Sequence, residues 1–186
     1  MRALTRFGLV AGPLLLLAST IAAATDQGVG QDALGGTIQL WAMVFLGIGL
    51  VGLARELEGD RPRVAATLTV MTFIGICAGA AFGVNGLWQE ATGLTIEDEA
   101  MAGPGLYLPG LVFPLSMLAQ AAARLRFRLG STLPSVLLGI GAVLFPLSRI
   151  PEIDALALAA DVFLLAGMVA IARELTPTES DPRVAA

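Results

Sequence analysis

Six long apolar runs, at about 7–24, 38–54, 64–88, 106–123, 132–148 and 155–172, occupy most of this 186-residue sequence and constrain everything else about it. Each is close to the roughly 20 residues an α-helix needs to cross about 30 Å of hydrocarbon. Hydrophobic residues make up 56% of the chain and charged residues only 14%, against about 25% charged in an average soluble domain, so there is too little polar surface to cover a body of this size in water. The runs are rich in Leu, Ala, Val and Gly and lack the ten-residue alternation of a transmembrane barrel. In lipid, every backbone polar group must be satisfied within the protein, which leaves helices. The expected fold is therefore all-α: a polytopic membrane helical bundle, 1–186 as a single integral domain, with short connections at 25–37, 55–63, 89–105, 124–131 and 149–154.

Charge placement predicts the orientation. With the amino end inside, Arg2, Arg6, Arg55, Arg61, Arg63, Arg124, Arg126, Arg128, Arg173 and Arg183 fall in the cytoplasm and Arg149 alone falls outside, as expected if basic loops stay on the cytoplasmic side during insertion. The same assignment puts Asp26, Asp32, Glu90, Glu97, Asp98, Glu99, Glu152 and Asp154 outside. Trp41, Trp88 and Tyr107 sit at the outer ends of their runs, where amphipathic rings prefer the headgroup layer. Both termini are expected in the cytoplasm of a cell-membrane protein. The first run also reads as a signal peptide, with Arg2 and Arg6 before the apolar core and a small-residue stretch at 21–24 before Thr25 and Asp26. Cleavage there would leave five spans without changing the direction of any later one.

Composition excludes several chemistries. The chain contains no His, one cysteine (Cys77) and no Lys, all eleven basic residues being Arg. An internal disulfide, imidazole ligation of metal or haem, and a retinal Schiff base are thereby excluded. Neither a cofactor nor a metal site is expected. No basic run is long enough to follow a phosphate backbone, so nucleic acid is not an expected partner; the lipid bilayer is, together with another membrane subunit or a second copy of the chain.

An internal echo is the most specific pattern. Residues 40–57 (LWAMVFLGIGLVGLAREL) and 158–175 (LAADVFLLAGMVAIAREL) match at eleven of eighteen positions, and each is followed by Pro-Arg-Val-Ala-Ala, at 62–66 and 182–186. The echo links the second span to the sixth, so the copies 40–66 and 158–186 are expected to run in the same direction, as in parallel-repeat membrane proteins. Low-complexity helices resemble one another by chance in their apolar positions, but chance accounts poorly for the shared Ala-Arg-Glu-Leu and the pentapeptide.

Within the spans, Gly75, Gly79 and Gly83 recur every four residues and predict a helix face that a neighbour approaches closely. Pro114 and Pro146 predict a kink or local break. Asp161 is the one charge clearly inside the hydrocarbon, about 9 Å beyond the start of the sixth run. Intramembrane carboxylates face the bundle interior or a wet cavity. Two readings follow. In one, Asp161 binds a proton or cation with Asn85, Gln89 and Ser148; in the other, it is a structural partner of Arg149. The scarcity of polar groups in the spans favours a non-enzymatic helix-packing or accessory membrane subunit over a small transporter or channel, which needs a polar path. The Arg55-Glu56 and Arg173-Glu174 pairs and the Arg124, Arg126 and Arg128 run are expected to be interfacial anchors, with a partner-docking rim or an anionic-lipid site as the other reading. A lipid-modifying enzyme is the weakest reading, its outer carboxylates Glu90, Glu97, Asp98 and Glu99 being explained by a solvated acidic loop.

Overall fold

The computed structural model describes residues 2–26, 33–94, 105 and 108–175, and among these there are helices and turns but no strand. Six helices follow one another: α1 (Arg2–Asp26), α2 (Ala33–Arg55), α3 (Pro62–Thr92), α4 (Val112–Phe127), α5 (Thr132–Arg149) and α6 (Asp154–Glu174). Each is long and apolar enough to cross a membrane, α4 together with the residues just before it (Leu108–Phe127). Glu97, Asp98, Glu99, Asp32, Tyr107, Arg183 and the second pentapeptide lie outside the described residues.

The helices outrun most of the apolar runs because polar side chains close their ends. Glu90, near the end of α3, accepts a hydrogen bond from the backbone N–H of Ala33 at 3.0 Å, satisfying one of the orphan donors at the start of α2. Pro62 occupies the first turn of α3, where no N–H partner is needed. At the other end of α3, Gly93 takes the left-handed conformation (φ 71°) and its N–H bonds Gln89 O at 2.7 Å, a geometry glycine adopts without penalty. The fourth helix departs from expectation by starting at Val112 rather than near 106. A turn at Leu111 interrupts the helix there, and Pro114, lacking an N–H, has no hydrogen bond to give to the carbonyl four residues back.

Each helix packs on its neighbours in sequence, and α6 packs back on α1, so the six close into a ring; α2 also touches α4 across it. The centre is filled. Leu9 and Leu16 from α1, Leu46 and Leu50 from α2, Phe113 and Met117 from α4, Leu138 from α5, and Leu164 and Met168 from α6 form one buried cluster. The outside is also apolar: Phe7, Trp41, Val70, Phe73 and Leu147 are exposed, so the helices are hydrophobic all round.

The glycines of α3 face its neighbours in the ring. A Cβ on Gly75 would lie 2.5 Å from Phe113 Cα of α4, one on Gly79 would lie 2.5 Å from Met43 Sδ of α2, and one on Gly83 would lie 2.8 Å from the Gly36 carbonyl oxygen of α2. At Gly75 and Gly83 the neighbour is backbone, an approach no larger residue permits, whereas at Gly79 it is the end of a flexible side chain. The echo segments also share a burial pattern. Ala42, Met43, Leu46, Gly49, Leu50, Leu53 and Ala54 are buried in α2, and their counterparts Ala160, Asp161, Leu164, Gly167, Met168, Ile171 and Ala172 are buried in α6.

Candidate functional site

Two ion-pair clusters hold the ends of the ring together. The end carrying the α2–α3 and α4–α5 turns is rich in arginine; the other carries the α5–α6 turn.

Towards the second end, Asp161 comes from the second turn of α6, about 10 Å from the helix start, and is wholly buried. Arg149, the last residue of α5, folds its side chain back along the bundle, and its Nη2 lies 3.0 Å from Asp161 Oδ2. The third member is Thr20 of α1. Its Oγ1 accepts from Arg149 Nη2 at 2.6 Å and donates to Asp161 Oδ2 at 2.5 Å. The Leu16 carbonyl, at 3.2 Å, is the competing acceptor for the single hydroxyl proton. The guanidinium also lies over the Phe145 ring, 5.0 Å from its centroid, a favourable seat for a cation. The pair is neutral as a whole, and it joins α1, α5 and α6. Asp161 Oδ1 and Arg149 Nε are buried without a hydrogen-bond partner.

At the arginine-rich end the arrangement is inverted. Arg124, near the end of α4, is only 5% exposed, and it meets Glu56 Oε2 through Nη1 at 3.0 Å and Glu174 Oε2 through Nη2 at 2.9 Å. The carboxylates keep 29% and 25% of their side-chain surface. Glu174 also accepts from the Ser131 backbone N–H at 3.0 Å and from its hydroxyl, which ties the start of α5 to the end of α6. Gly130 makes room for this: it has φ 89°, and a Cβ there would run into the Glu174 carboxylate and Arg124 Nη2. Glu56 and Glu174 are counterparts in the echo. One guanidinium thus bridges the two echo segments.

Between these ends, amide side chains cross-link the helices through backbone carbonyls. Gln120 Nε2 donates to the Leu50 carbonyl at 2.9 Å and lies 3.3 Å from Thr72 Oγ1, joining α4 to α2 and α3. Gln39 Nε2 donates to the Gly79 carbonyl at 2.9 Å.

Of the residues expected around Asp161, the ring brings in Arg149 and leaves out the others. Asn85 and Gln89 belong to α3, which among the described residues makes no contact with α6. Ser148 is buried, but its hydroxyl donates to the Phe145 carbonyl at 2.8 Å and its carbonyl receives the Ile153 N–H at 2.9 Å. A ligand set of Asp161, Asn85, Gln89 and Ser148 is therefore not assembled. Arg124, expected as an interfacial anchor, is instead a buried cross-link. Glu56 and Glu174, expected as anchors with their neighbouring arginines, instead hold Arg124; Thr20 and Gln120 were not expected at a site, although an amide in mid-run was a visible signal. A carboxylate engaged by an arginine is a poor general base, and among the described residues no group of three His, Cys, Asp or Glu side chains is placed to hold a metal ion. Chemically, these clusters are suited to joining helices. No family model, curated protein or solved structure matches the chain.

Proposed function

We propose that the chain is a multi-pass integral protein of a cell membrane, with both termini and the arginine-rich end on the cytoplasmic side, and that it acts as a non-enzymatic helix-packing or accessory membrane subunit. The observation that carries this reading is the engagement of Asp161, the one deeply placed carboxylate, by Arg149 and Thr20 beside an interior filled with Leu, Met and Phe. A substrate path needs polar lining, and the buried Gln120, Thr72 and Ser116 that interrupt this interior are bonded to one another or to backbone carbonyls. The ten-to-one division of arginines supports the orientation. Retention of α1 fits the same picture, since Leu9, Leu16 and Thr20 are interior residues. We read the echo as a duplicated, parallel helix-and-turn unit, supported by the matched burial of α2 and α6 and by the meeting of Glu56 and Glu174 on one guanidinium.

One observation favours a second reading, in which Asp161 is a proton or cation site: its Oδ1 is buried and unpartnered. Flux measurements in proteoliposomes separate the two. On the packing reading, vesicles containing the wild-type chain carry no more proton or monovalent-cation flux than empty ones. A flux that requires the wild-type chain and disappears in Asp161→Asn would replace this reading with the second.

A further inference from the structure

We propose that the seam between α3 and α4 seats one anionic phospholipid, its phosphate among Arg61, Arg63, Arg126 and Arg128 and an acyl chain lying in the apolar groove further along. This rests on the membrane reading above and adds a ligand class to it. The four arginines come from the α2–α3 turn, the start of α3 and the end of α4, and the fold brings them to one place. Arg61 lies over the Phe127 ring, 5.5 Å from its centroid, between Arg126 and Arg128 in sequence. All four are exposed, and among the described residues none is paired with a carboxylate, whereas Arg124 beside them is buried and holds two carboxylates. Glu58 and Asp60 in the same turn are exposed and leave the group net positive.

Arg128 supplies a second argument. It holds the left-handed position that ends α4, with φ 55°, where glycine is the favoured residue. In a chain with 22 glycines, two residues before a glycine that does take positive φ, an arginine at this position is a backbone cost that its charge justifies.

The groove supplies the third. Along the same seam, Phe73, Ile74, Cys77, Ala78 and Ala81 of α3 and Pro109 before α4 line an apolar groove of about 440 Å³. At 1.5 Å per residue, Phe73 and Ile74 lie about 15 Å along α3 from Arg63, the depth of one leaflet in a hydrocarbon core about 30 Å thick, so the end of an acyl chain meets the near end of the groove. Basic residues clustered where two helices meet on the cytoplasmic side are the arrangement that recognises anionic headgroups.

Native mass spectrometry of the full chain in neutral detergent, with phosphatidylglycerol or phosphatidylcholine added, tests the assignment. The wild-type chain is expected to retain phosphatidylglycerol in preference to phosphatidylcholine. Arg61→Gln with Arg126→Gln should lower that preference about tenfold or more. Arg2→Gln with Arg173→Gln, which removes as much charge from the same end, should leave it intact. Ile74→Trp keeps every arginine but fills the near end of the groove, and it should weaken retention by itself. Excess inorganic phosphate should not displace the lipid. Equal retention of the two lipids, equal loss in both double variants, no effect of Ile74→Trp, or displacement by phosphate would each overturn the lipid seat. A chain that stays dispersed in buffer without detergent would instead overturn the membrane reading on which the seat depends.

Discussion

The two ion-pair clusters solve one problem in opposite ways. In the Thr20–Arg149–Asp161 triad the anion is wholly buried and the cation lies towards the end of the bundle; in the Arg124 cluster the cation is buried and two anions sit at the rim. A buried charge is tolerated only when a partner and further hydrogen bonds compensate its lost hydration. Asp161 has one charged partner and one hydroxyl. Arg124 has two charged partners, either of which suffices to balance it. The triad is therefore a cluster without redundancy, and the Arg124 cluster has one partner in reserve.

The largest effect is expected where the reserve is missing. Arg149→Gln strands Asp161 in the interior and should destabilise the bundle by about 3 kcal/mol, read as a lowered midpoint of unfolding in detergent. Combining it with Asp161→Asn should recover more than half of that loss, since neither charge then remains. If the single and double variants unfold alike, the pair is not coupled and the contrast with Arg124 fails.

Glu174→Gln should come next. It removes one ion pair of Arg124 and weakens the bonds to Ser131, for an expected loss of about 1.5–2 kcal/mol. Glu56→Gln removes the other ion pair alone and should cost about 1 kcal/mol or less. The ordering sharpens the comparison, because the double variant Glu56→Gln/Glu174→Gln leaves the buried guanidinium with no anion and should lose more than the sum of the single changes. Strict additivity in the same unfolding assay would show that Arg124 keeps no partner in reserve.

The six helices were legible in the sequence because hydropathy over some 20 residues is a strong signal. So was the pairing of Asp161 with Arg149, since a four-residue turn delivers the arginine to the start of the same helix. Asn85, Gln89 and Ser148 were misplaced for a definite reason: depth along a helix was known, but the order of helices around the ring was not. A ring that follows chain order sets α3 across from α6, out of reach. Thr20 left no trace, as a threonine in an apolar run satisfies itself on the preceding turn, and the contact with Leu16 O shows that option still present. Arg124 misled because its position near a span end matches that of an anchor. Its burial depends on α2 and α6 both ending beside it.

The matched burial of α2 and α6 carries a hazard and, in Asp161, an answer to it. Two helices with the same buried face are interchangeable during assembly, and a bundle built from them risks threading one into the other's slot. Met43 stands in α2 where Asp161 stands in α6, and its sulfur lies close against Gly79 of α3, with no cation to meet a carboxylate. Placed there, α6 would bury a naked charge, while α2 placed beside α5 would leave Arg149 without its anion. The ion pair works as a key that admits each of these two helices to one lock only, so its stabilising effect in the finished fold understates its worth in reaching that fold.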